Sequence, residues 1–137
     1  MWWIYALLSA LFAAITAILA KIGIKGIDTD LATAIRTVVI LVLAWSIVFL
    51  KSGSPAFAHL SKQNWTFLIL SGLATGASWI FYFKALQLGK VSQVAPIDKA
   101  SVALTILLSM IFLGETLTLK TAIGAVLIIL GSFVLIF

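Results

Sequence analysis

Three ionisable side chains stand inside stretches that are otherwise apolar: Arg36, and the adjacent Asp98 and Lys99. In hydrocarbon each would cost roughly 2.5–3.5 kcal/mol on the insertion scale, so such groups serve a purpose. They pair with one another, contact a substrate or move a proton. Each lies six or seven residues into its stretch, which places it ~8–10 Å from a helix end at about 1.5 Å per residue. Asp98 is the only carboxylate inside a stretch. Its structural role is an ion pair with Arg36 or Lys99 that makes insertion tolerable. Its functional role is proton coupling or substrate contact, and the two are compatible. Neighbours on a helix point about 100° apart, so Asp98 and Lys99 cannot both face one partner squarely.

Other residues frame these three. Pro96 stands two positions before Asp98. It is predicted in the first turn of its helix, where a missing N–H costs little. It either starts the helix or loosens its end and exposes backbone groups beside Asp98. The run Trp79-Ile-Phe-Tyr-Phe83 is dense in aromatics. Trp79, Tyr82 and Phe83 share a helical face by their i, i+3, i+4 spacing. That face packs against lipid or another helix, or it lines a cavity for an organic molecule, with cation–π contact available. His59 is the only histidine and falls in a connection. There is no HExxH pattern, no pair of acting carboxylates and no Gly-rich phosphate loop leading into a helix. Cysteine is absent, which excludes disulfides, thiolate metal sites and cysteine nucleophiles. The sequence reads as a non-enzyme with no cofactor and no metal site.

The elements that must position these groups are five apolar stretches: Trp2–Ala20, Leu31–Leu50, Trp65–Phe83, Gln93–Leu113 and Thr121–Phe137. A helix of about 20 residues, with a range of roughly 17 to 25, crosses a ~30 Å bilayer core. Hydrophobic residues make up 64% of the 137-residue chain and charged ones 9%, whereas a soluble domain is about one quarter charged. The expectation is one all-α membrane domain over residues 1–137 with five transmembrane helices. Five crossings would leave the termini on opposite faces. The first stretch lacks a basic leader and reads as a retained span, not a signal peptide. The net charge of +5 is read as Lys and Arg snorkelling to headgroups, not as a nucleic-acid surface. The face of the N-terminus receives Lys51, Lys62 and Lys120, and the other face Lys21, Lys25, Lys84 and Lys90. That balance sets no orientation by the positive-inside rule.

The connections carry turn and cap signals. Gly23, Gly26, Asp28 and Asp30 mark the first, with Asp30 predicted to cap the second helix. Gly53 and Pro55 break the chain in the second, and Ser61 caps the third helix. Gly89 stops the third helix and Ser92 caps the fourth. Thr116 or Thr118 caps the last. Small residues at Gly72 and Gly76, along Ser9, Ala13 and Ala17, and at Gly124 and Gly131 mark close helix contacts, within one monomer or between subunits.

The segment Phe83-Lys-Ala-Leu-Gln-Leu-Gly-Lys-Val-Ser-Gln-Val-Ala-Pro-Ile-Asp-Lys-Ala-Ser101 resembles the EamA-type domain of the drug/metabolite transporter superfamily. So do Phe112-Leu-Gly-Glu115 and Ile123-Gly-Ala-Val-Leu-Ile-Ile-Leu-Gly131. The Ala-Pro-Ile-Asp-Lys-x-Ser stretch looks most like the short, five-helix bacterial and archaeal members. The resemblance covers nearly the whole chain and is strongest from about Leu70 onward. It implies one half of a ten-helix inverted-repeat architecture, with substrate held near the midplane between two halves. It further implies a multi-pass protein of the prokaryotic inner membrane. Such a chain would move a small organic metabolite by alternating access as an antiparallel homodimer, with proton coupling as an open feature. Its partners would be the bilayer, the substrate and a second copy. On that reading Asp98, Lys99, Arg36, Trp79, Tyr82 and Pro96 are the substrate or coupling candidates. The rival readings are a non-transporting membrane subunit that pairs with another membrane protein, and a flippase for lipid-linked substrates.

Overall fold

The computed structural model describes residues 1–52 and 60–136. These form α1 (Trp2–Gly23), α2 (Thr29–Ser52), α3 (Lys62–Leu88), α4 (Val91–Lys99), α5 (Ser101–Leu113) and α6 (Leu119–Ile136). There is no strand among the described residues. Backbone groups find no partners in lipid, so helices that satisfy their own N–H and C=O groups are what such a sequence can build. α1, α2, α3 and the joined stretch Val91–Leu113 are each long and apolar enough to span a bilayer. α6 is shorter at 18 residues, about 27 Å, against a core of about 30 Å. The chain is an all-helical, multi-pass membrane protein with four helices of spanning length and a fifth, shorter apolar one.

The chain divides into two compact units, Ala20–Gln87 and Met1–Leu19 with Leu88–Phe137. In the first unit the turn between α1 and α2 is tied to the end of α3. Gly26 takes a positive φ of 79°, a conformation glycine reaches without a Cβ clash. Asp28 then caps α2, its Oδ1 accepting from the N–H groups of Asp30 at 2.9 Å and Leu31 at 3.0 Å. Lys21 donates through Nζ to the carbonyl of Leu86, and the Gln87 Nε2 donates to the carbonyl of Ile27 at 2.9 Å. The last carbonyls of a helix lack intrahelical partners and favour a cation, which Lys21 supplies to α3. Ile24, Ala32, Phe83 and Leu86 are buried. The buried Thr33 donates its hydroxyl to the Thr29 carbonyl at 2.8 Å, and Thr37 does the same to Thr33. These bonds within the helix let hydroxyls sit on an apolar element.

In the second unit α6 packs along both α4 and α5, with Val94 and Ser132 buried. Gly114 ends α5 in the left-handed region (φ 68°, ψ 20°), its N–H returning to the Ser109 carbonyl. The N–H of Glu115 reaches the same oxygen at 3.4 Å, a closing pattern common where glycine follows a helix.

Several local expectations hold. Ser61 Oγ accepts from Asn64 N–H at 3.1 Å, and Thr118 Oγ1 from Thr121 N–H at 3.2 Å. α3 ends at Leu88, just before Gly89. Others need correction. The cap of α2 is Asp28, with Asp30 inside the first turn, because the helix begins at Thr29. The N-cap of α4 is Lys90, without a side-chain bond, so Ser92 does not cap it. The fourth stretch is two helices, interrupted at Ala100. Since α4 starts at Val91, Pro96 lies in its interior and not in its first turn. A Cβ added at Gly72, Gly76, Gly124 or Gly131 would meet nothing within 4 Å, so no close contact among the described residues requires glycine at these positions. Gly53, Ser54, Pro55 and His59 lie outside the described residues.

Candidate functional site

α2 and α3 place Arg36 against aromatic rings. Arg36 lies about 10 Å along α2 from Thr29. Its guanidinium carbon stands 4.5 Å from the Phe83 ring centre and 5.2 Å from that of Trp79. Trp79 and Phe83 are one turn apart on α3, so their side chains meet on one face. Phe83 is fully buried, which fixes the ring that the cation rests on. Cation–π contacts contribute about 0.5–1 kcal/mol when exposed and about 2 or more when desolvated. Arg36 is half-buried, between those limits. Tyr82 belongs to the same cluster: its ring centre lies 6.0 Å from that of Phe83, tilted by 48°, and it interacts electrostatically with Arg36.

The second group of polar features lies on α4. An uninterrupted helix would direct the Ala100 N–H to the Pro96 carbonyl. Instead it bonds Ile97 O at 3.0 Å, and the Ala103 N–H returns to Ala100 O at 3.1 Å. These tighter i→i−3 bonds mark a break in the α-helical ladder. The Pro96 carbonyl, released from Ala100, accepts from the Ser132 hydroxyl at 2.9 Å. The same hydroxyl also lies 2.8 Å from Ile128 O on its own helix. Pro96 itself has no N–H for the Ser92 carbonyl, a second gap in the ladder. Asp98 and Lys99 sit between Pro96 and the break. Their side chains form an ion pair at 3.4 Å, with Asp98 38% and Lys99 60% exposed. An exposed pair of this kind contributes only about 0–1 kcal/mol, so it neutralises Asp98 without locking it.

The structure therefore joins Arg36 with Trp79, and Asp98 with Lys99, each within its own unit. Of the two ion-pair partners expected for Asp98, Lys99 is the one it takes. Tyr82 stacks on Phe83, and Pro96 is held by α6. Phe83 stands on the aromatic face that its spacing with Trp79 and Tyr82 predicts, and two contributors were absent from the sequence candidates. Ser132 and the Thr29–Thr33 ladder give no sequence signal, since hydroxyls are common in membrane helices and their partners lie elsewhere in the chain. No group of three or more His, Asp or Glu side chains comes together among the described residues.

Ionisable side chains and interrupted helices within spans are features of proteins that carry solutes across membranes. Comparison with known proteins gives the same class. The whole chain, residues 1–137, matches the EamA-like transporter family. It is 46% identical over 134 residues to a protein of Sinorhizobium sp named "Uncharacterized transporter in cobO 3'region", covering 98% of this chain and 95% of that one. It is 31% identical over 129 residues to the "Uncharacterized transporter YxxF" of Bacillus subtilis (strain 168). That match takes in 93% of this chain but 40% of the longer protein. A segment of 70 residues is 41% identical to an uncharacterized protein of Methanocaldococcus jannaschii, about half of each chain. No solved structure matches. The chain belongs to the EamA-like transporter family, and its assignment is to transport, not to enzymatic catalysis.

Proposed function

We propose that this protein is a half-size transporter that moves a small organic metabolite by alternating access, as an antiparallel homodimer in a prokaryotic inner membrane. The observation that carries the reading is the broken fourth span. Its interruption at Ala100 adjoins Asp98 and Lys99 and frees a backbone carbonyl at Pro96. Transporters built from inverted repeats place their sites at such discontinuous helices, and rock one repeat against the other. The match to 40% of YxxF fits a chain that supplies one repeat where a longer relative has room for two. An odd number of crossings requires the second repeat to be inverted, and α6 completes that number if it tilts little or thins the bilayer locally. The weak lysine asymmetry between the two faces favours insertion both ways up. Asp98 is the coupling residue in this scheme, with Lys99 as its exchangeable partner.

Two measurements test the proposal. Purified protein in proteoliposomes, screened with a metabolite panel, is expected to show solute flux accompanied by proton movement; flux without proton movement would remove the coupling, and no flux with any solute that binds the protein would remove the transport reading. The chain has no native cysteine, so Leu60→Cys provides a single label site in the second connection. Comparable labelling from both sides of the membrane is the expected result. Labelling from one side only would exclude dual insertion.

A further inference from the structure

The Arg36 guanidinium carries five N–H donors. Among the described residues it makes no ion pair and no hydrogen bond, and its guanidinium lies against the rings of Trp79 and Phe83. The four carboxylates of the chain are Asp28, Asp30, Asp98 and Glu115. Asp28 is engaged in capping α2, and Asp98 in its pair with Lys99. Ring faces balance the positive charge but accept no directional bond at the edge of a guanidinium. Among the described residues no polar side-chain atom that lacks a partner is fully buried, so the Arg36 nitrogens stay reachable. A guanidinium that rests against two rings and makes no hydrogen bond among the described residues has donors left for the two-oxygen edge of a carboxylate or phosphate.

We infer that Arg36, clamped by Trp79 and Phe83, is an oxyanion-binding site, and that the transported solute carries a carboxylate or a phosphate. The second half of this statement rests on the transport reading; the first does not. The alternative source of the same chemistry is a lipid headgroup phosphate, reached by the side chain along its apolar stem.

Arg36 is the only arginine in the chain, so modification by phenylglyoxal, located by peptide mass mapping to separate it from the N-terminal amine, reports on one guanidinium. The probes are lactate with its neutral amide lactamide, and glycerol 3-phosphate with glycerol. In lipid-free detergent the reagent is expected to modify Arg36. Lactate or glycerol 3-phosphate should slow the reaction at least tenfold, about 1.4 kcal/mol of differential binding, while the neutral partners leave it unchanged. Trp79→Phe should keep the protection and Trp79→Ala weaken it. A guanidinium that never reacts, or one protected equally by neutral and charged probes, would overturn the inference. Repeating the reaction in phosphatidylcholine vesicles with and without phosphatidylglycerol separates the sources. Protection by phosphatidylglycerol alone would overturn the assignment to a solute. Protection by a solute in a protein that shows no flux of that solute in proteoliposomes would sustain the anion site and count against the transport reading. Flux of neutral solutes only, unaffected by Arg36→Gln, would do the reverse.

Discussion

Arg36 and Asp98 are both charged groups about 10 Å along their helices from Thr29 and Val91, yet they are held in opposite ways. Arg36 rests on side chains brought from another helix, one of them fully buried. Asp98 is paired with its own sequence neighbour, both partners open to the surroundings, on a helix whose ladder is broken on either side of it. The first arrangement is preorganised at Phe83, whose ring is fixed by packing before any ligand arrives. The second is loose, because the ion pair contributes little and the backbone already has two places to bend. The contrast teaches that one membrane domain can hold one charge on packed rings and another on a helix free to bend; in the proposed transporter the first would serve recognition and the second a change of state.

The comparison breaks most readily at Phe83. Phe83→Ala removes a fully buried ring, and such truncations cost about 3–5 kcal/mol. A marked fall in melting temperature in detergent and in protein level is expected; an unchanged melting temperature would mean that the Arg36 environment is not packed. Next is Ser132→Ala. Losing the bond to the Pro96 carbonyl is expected to cost about 1–3 kcal/mol unless the Ala100 N–H returns to that oxygen. Hydrogen exchange decides between these outcomes: slower exchange at Ala100 in the variant shows the helix closing. Exchange and stability both unchanged would show that Ser132 does not hold the break.

A smaller effect sharpens the account of the first unit. Asp28→Ala is expected to cost about 1 kcal/mol by loss of the α2 cap. Asp30→Ala should cost about 0.3–0.5 kcal/mol, because it loses only an exposed interaction with the helix dipole. Equal costs by chemical or thermal unfolding would return the cap to Asp30. The smallest difference is between Trp79→Ala and Tyr82→Ala. Trp79 touches Arg36, so its loss is expected to weaken anion protection about two- to fivefold, near 0.5–1 kcal/mol. Tyr82 touches Phe83 and interacts with Arg36 only electrostatically, so its loss should weaken protection less than the loss of Trp79, within about twofold, at unchanged protein level.

What the sequence made legible tracks the range of the forces involved. The spans are local sums of hydropathy, so their positions were readable, while most of their ends ran two to five residues further because helices continue into the interface: α3 extends from Lys62 to Leu88. Caps at Ser61 and Thr118 depend on a hydroxyl three residues before an N–H, and were readable too. Asp28 and Asp30 have the same chemistry two residues apart, and only the observed start of α2 separates them. The face shared by Trp79 and Phe83 comes from the helical period. That Arg36 rests on it does not, because the partner comes from another helix. The break at Ala100 was invisible for a stronger reason. Alanine is the best helix former, and the interruption there accompanies a hydrogen bond from Ser132, far along the chain.

The direct test of the central contrast is solute flux in proteoliposomes with Arg36→Gln and Asp98→Asn measured side by side, in exchange and in uphill accumulation. The account expects Arg36→Gln to lose both, because the solute no longer binds. It expects Asp98→Asn to insert and assemble normally, to keep exchange and to lose accumulation. Proton-driven accumulation by Asp98→Asn at the wild-type level would contradict the account, leaving the charged pair on α4 as structure and the coupling elsewhere.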